Sequence, residues 1–121
     1  MLSCALISRI SPVKPMVGRR SQKHNALTSK LEAEIELLQR HVEMLKAISD
    51  NEPIGIIRLG ELLRCPQHKV RYSLRMLEQE DLIEPSTGGA VTTKNIDEFM
   101  KELKGTIAKM SADLAKIRDS L

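Results

Sequence analysis

The feature that most constrains this 121-residue chain is an apolar repeat in its last quarter. Ile96, Met100, Leu103, Ile107, Met110, Leu114, Ile117 and Leu121 follow one another at steps of 4, 3, 4, 3, 4, 3 and 4. That is the spacing of one continuous helical seam of the coiled-coil kind. Asn95, with Glu98 three residues on, is a good N-cap. The spacing therefore predicts a helix over 95–121, roughly 38 Å long at about 1.5 Å per residue. A single small domain cannot cover so long a seam, so the helix needs a partner. We expect a homodimer held by Leu103, Ile107, Met110, Leu114, Ile117 and Leu121. The alternative is that the helix folds back along another helix of the same chain.

A second seam lies upstream. Leu31, Ile35, Leu38, Val42 and Leu45 repeat at 4, 3, 4, 3 on an otherwise charged stretch, beginning at a Ser29–Glu32 capping box and ending before Pro53. In front of it, residues 1–27 contain Pro12, Pro15 and Gly18 and show no apolar period, which predicts a flexible basic arm. Residues 1–31 hold six Lys/Arg and no acid, whereas the remaining ninety hold 13 Lys/Arg against 16 Asp/Glu. The arm can be a solvated tail, a phosphate-contacting extension, or a leader foreign to the native protein, whose start would then be Met16. The part expected to fold, 28–121, is not globally basic, so any nucleic-acid surface must be local.

Between the two seams the elements are short. Ile54–Arg58 is β-branched and predicts a brief strand, and Leu59–Leu63 a short helix. Arg64-Cys65-Pro66 makes a tight turn, and Pro66, which lacks an N–H, opens a helix over 66–80 with Val70, Leu74 and Leu77 inward. Leu82–Glu84 and Ala90–Thr93, joined by Ser86-Thr87-Gly88-Gly89, form a two-stranded hairpin.

At residues 56–93 this order resembles the winged-helix family of bacterial and archaeal regulators. The stretch Leu59 to Leu74 carries two leucines closing a helix (Leu62, Leu63), a short turn, an aliphatic (Val70) and a leucine four residues later. Leu77-Glu78 followed by Leu82-Ile83-Glu84 makes the exit into the wing. The whole plan is similar to small archaeal predicted transcriptional regulators with a helix on each side. The resemblance implies a mainly α fold: a winged helix-turn-helix with a two-stranded wing, a reader core at 54–93, and flanking coiled-coil-like helices, the last (95–121) for dimerisation. Four positions depart from the family pattern. Asp81 stands where glycine commonly makes a left-handed turn, Arg64 replaces a small turn residue, Pro66 a Ser/Thr cap, and Gly60 sits inside a helix.

The resemblance makes 66–80 a recognition helix for the major groove. Its outward residues suit that work: His68, Lys69, Arg71, Tyr72 and Arg75, with Gln67 at its start and Arg64 in the turn. Long donors suit guanine O6 and N7, an amide suits adenine, and cations suit phosphates. In the wing, Thr87 and Gly88 offer a hydroxyl and backbone N–H groups. Residues 58–75 carry five Lys/Arg against Glu61 alone, a contrast with the acidic remainder. Tyr72 can touch the DNA backbone or cover the turn. The expected function is a sequence-specific, cytoplasmic transcription regulator binding double-stranded DNA as a homodimer; the alternative is a winged-helix adaptor for other proteins.

Other chemistry finds little support. His24, His41 and His68 lie on separate elements without a paired nucleophile and read as surface residues, so no enzyme is expected. Cys4 and Cys65 are far apart and offer no metal-ligand or disulfide spacing, and no cofactor or metal is expected. Cys65 reads as a packing residue of the turn rather than a redox sensor. No run approaches the roughly 20 apolar residues of a membrane span.

Overall fold

The structure, a computed structural model, describes residues 26–121. Helix α1 spans Ala26–Asn51, α2 Ile56–Leu63 and α3 Gln67–Gln79; strands β1 (Ile83–Ser86) and β2 (Gly89–Thr92) follow, then helix α4 (Ile96–Ser120). The described chain is mainly helical, with a two-stranded antiparallel sheet placed after three helices. The expected arm lies outside the described residues except for Ala26 and Leu27. These two belong to α1, which therefore begins before the predicted cap at Ser29. The capping box does not form. Ser29 Oγ donates back to the Ala26 carbonyl at 3.2 Å, and it is Thr28 whose hydroxyl donates to Glu32 at 2.7 Å. Neither bond interrupts the helix.

The core gathers where α1 ends. Met44, Leu45, Ala47 and Ile48 of α1 meet Leu59 of α2, Val70 and Leu77 of α3, Ile54, and Leu82 and Ile83 at the entry to the sheet. Each large aliphatic in this set contributes roughly 1.5–3 kcal/mol by leaving water. Of the predicted α1 seam, Leu45 is buried, Leu38 and Val42 are half-buried, and Leu31 and Ile35 remain 46% and 48% exposed. The domain covers the C-terminal half of α1, from Leu37 onward.

The strand expected at Ile54–Arg58 shrinks to a single bridge. Ile54 N–H donates to the Ala90 carbonyl at 3.2 Å and Ala90 N–H returns to Ile54 at 2.8 Å. From Ile56 the chain is helical, because Ile56, Leu59 and Leu63 recur at helical spacing on one core-facing stripe, which outweighs the β preference of two isoleucines. The Glu52 carboxylate fastens this linker by accepting bonds from the Thr92 N–H (2.7 Å) and hydroxyl (3.0 Å).

The hairpin pairs Ile83 with Thr92 and Ser86 with Gly89, so its loop is Thr87–Gly88 and both strands sit one or two residues from the expected bounds. Gly89 has φ +130°, and a Cβ there would lie 2.5 Å from the Ile54 carbonyl. Only glycine fits that crossing. Asp81 takes the left-handed conformation at φ 59°. Its carbonyl accepts from Thr93 Oγ1 at 2.7 Å, and both its carbonyl and its carboxylate accept from Asn95 Nδ2. Asn95 thus precedes α4 as expected, but its side chain ties back to Asp81 instead of capping the helix.

Ile96, Phe99 and Met100 pack on the core and Leu103 is half-buried. Beyond them α4 leaves the domain: Ile107, Met110, Leu114 and Ile117 are between 41% and 59% exposed, and Leu121 fully so. The helix does not fold back along α1. Among the described residues no helix is long and apolar enough to cross a membrane, and no group of three His, Cys, Asp or Glu is placed to hold a metal ion.

Candidate nucleic-acid interface

The site is built on α2, the turn after it, and α3. Leu59 and Val70, both fully buried, lock the two helices together. The turn is tight because Arg64 takes the left-handed conformation (φ 53°) and the Cys65 N–H reaches the Gly60 carbonyl at 2.9 Å. A Cβ on Gly60 would stand 2.9 Å from the Cys65 carbonyl oxygen, which explains a glycine within a helix. Pro66 occupies the N-cap of α3 rather than its first turn, and its carbonyl accepts from the N–H groups of Lys69 and Val70.

This frame holds Gln67, His68, Lys69, Arg71 and Arg75 on exposed positions of α3, with Arg64 exposed in the turn. The buried face of α3 is Val70, Ser73 and Leu77, while the expected Leu74 is half-buried. The helix is therefore turned slightly from the orientation its leucines suggest. Tyr72 leans towards α1. Its ring lies 5.9 Å from that of His41, tilted by 36°, and 39% of the residue stays exposed.

An open cleft of about 500 Å³ runs between the start of α2 and α3, lined by Gly55, Ile57, Arg58, Glu61, Gln67 and Arg71. Arg58 thereby shares the cleft with Arg71, thirteen positions on in the chain. Among the described residues the ion pairs are Lys109–Asp113 and Arg118–Asp119, both on α4. Arg58, Arg64, Lys69, Arg71 and Arg75 are thus exposed cations without an acidic partner.

Thr87 and Gly88 sit exposed at the hairpin tip. A Cβ on Gly88 would meet the Pro53 ring at 2.9 Å, so this tip rests against the linker before α2. From Ile83 to Thr93 the hairpin carries one charge, Glu84, and no cation.

Behind α3 lies a polar node that the sequence does not announce. Ser73 is fully buried; its Oγ accepts from Arg40 Nε at 3.1 Å and pairs with His41 Nδ1 at 2.9 Å. Burial holds the His41 imidazole below its ordinary pKa, the nearby Arg40 charge lowers it further, and Glu34 opposes both. In the neutral ring Nδ1 accepts from the Ser73 hydroxyl, and among the described residues no buried side-chain polar atom lacks a partner. His41 is therefore no free surface histidine. It orients α3 on α1 together with Arg40. Compared with known proteins, the chain matches no protein-family model and no curated protein sequence.

Proposed function

We propose that this chain is a winged helix-turn-helix transcription regulator that binds double-stranded DNA sequence-specifically as a homodimer. The observation that carries the reading is the set of five exposed, unpaired cations gathered on α2, its turn and α3 in a chain that is acidic beyond residue 31. In this reading α3 enters the major groove. Arg71 and Arg75 reach guanine edges, Gln67 reaches adenine, and Arg58, Arg64 and Lys69 hold phosphates on either side. The hairpin tip adds the Thr87 hydroxyl and the Gly88 backbone as a weak phosphate contact. Two copies joined through α4 would present their α3 helices about one DNA turn apart, roughly 34–36 Å.

Selection of bound sequences from a random duplex library, followed by sequencing, tests this. Two half-sites related by a two-fold axis, centred about 10 base pairs apart, are the expected result. No enrichment over the starting library would reject it. The rival reading, an adaptor for other proteins, is favoured by the cation-free hairpin and by Ile57, which stands 64% exposed beside the cleft. It predicts no enriched sequence.

A further inference from the structure

Two apolar seams leave the domain uncovered, and their charges differ in sign. On α1, Leu27, Leu31 and Ile35 are exposed; on α4, so are Ile107, Met110, Leu114, Ile117 and Leu121. Leu27, Leu31 and Ile35 step by fours and the α4 residues by threes and fours, so each set presents one apolar ridge to a partner helix. The exposed stretch of α1, residues 26–36, rises about 16 Å and the exposed seam of α4, residues 107–121, about 22 Å, so the first can lie wholly along the second. Residues 26–45 hold four acidic and two basic side chains, whereas residues 101–120 hold five basic and three acidic ones. Beside the α1 seam stand Glu32 and Glu34, and beside the α4 seam Lys104 and Arg118, positions that form pairs across a helix interface. Arg118 is exposed and bonds locally to Asp119 at 3.1 Å, so it can turn to another acid.

We propose that in the homodimer the exposed half of α1 is covered by the distal half of the second copy's α4. The pairing is reciprocal, so four helices share one apolar core. This rests on the two-copy reading above and names which surfaces meet. A dimer made of α4 against α4 alone would leave Leu27, Leu31 and Ile35 in water. Cross-pairing buries both seams at once and sets acidic flanks against basic ones.

Charge exchange followed by sedimentation equilibrium and native mass spectrometry tests it. One variant carries Glu32→Lys and Glu34→Lys, the other Lys104→Glu and Arg118→Glu, with circular dichroism verifying unchanged helix content. Each alone should dimerise about tenfold more weakly, since two flanking pairs per interface turn repulsive. An equimolar mixture should regain the unmodified affinity as a heterodimer, and a chain carrying all four changes should regain it as a homodimer. If the Glu32/Glu34 variant dimerises as tightly as the unmodified chain, or neither combination restores affinity, cross-pairing is wrong while the dimer stands. If the unmodified chain is monomeric at tens of micromolar, the two-copy reading fails as well.

Discussion

Ser73 sits where a leucine-rich helix would be expected to bury a further aliphatic, and its hydroxyl is what α1 grips through Arg40 and His41. Because the folded chain holds His41 below its ordinary pKa of 6.5, the unfolded chain binds the proton more readily. Stability should therefore be full above that value and fall as pH drops through about 6.5 towards the lower folded pKa. Thermal melts between pH 8 and 5 should show this fall, and His41→Gln should flatten that part of the profile. An identical profile in the variant would contradict the assignment. Gly60 makes the opposite kind of point. Alanine normally gains about 1 kcal/mol over glycine in a helix. Here its Cβ would press on the Cys65 carbonyl at 2.9 Å, so Gly60→Ala should destabilise by about 1–2 kcal/mol in urea unfolding instead. On the outer face of α3 the predictions divide by role. Arg75→Ala should cost about 1–3 kcal/mol on the preferred sequence and relax preference at one base. Lys69→Ala should weaken all sequences alike and reduce the salt slope by about one unit, as read by fluorescence anisotropy.

Elements were legible to unequal degrees, for physical reasons. The long helix at the C-terminal end, the hairpin and the turn after α2 follow from periodicity, glycine and proline, which act within a few residues, while the hairpin loop is shorter than the expected Ser86–Gly89 turn because those two residues pair. The strand at Ile54–Arg58 misled because β-branched composition and helical spacing conflict over five residues, and the tertiary stripe of Ile56, Leu59 and Leu63 decides. Asn95 has the chemistry of a cap, yet left-handed Asp81 turns its carbonyl and carboxylate towards it, a meeting of residues fourteen positions apart. At this scale the test is α4. Ile107 touches no part of the core and is 41% exposed, so Ile107→Asp should leave the fold of one copy intact. In a dimer seam the same charge should raise the dissociation constant by about a hundredfold or more. Light scattering should show a monomer with an unchanged circular dichroism spectrum. A dimer of undiminished affinity would remove α4 from the interface.

For the molecule as a whole, the outward residues of α3 could be named from sequence because an amphipathic helix fixes its own faces. Placing Arg58 beside Arg71 needed α2 and α3 to share one buried core, and recognising His41 as a tether for α3 needed the contact of residues more than thirty positions apart in the chain. The chain then divides its labour by charge: α2 and α3 carry unpaired cations, α1 and α4 carry the open seams, and the hairpin closes the core with little charge of its own. The central claim, that the α2–α3 face binds DNA, is tested most directly by measuring duplex affinity against salt for the unmodified chain and for an Arg71→Ala/Arg75→Ala variant. The expected result is a linear fall of log affinity with log salt for both chains, and a variant that binds the preferred duplex far more weakly with its sequence preference lost. Affinity that ignores salt, or a double variant that binds as the unmodified chain does, would contradict it.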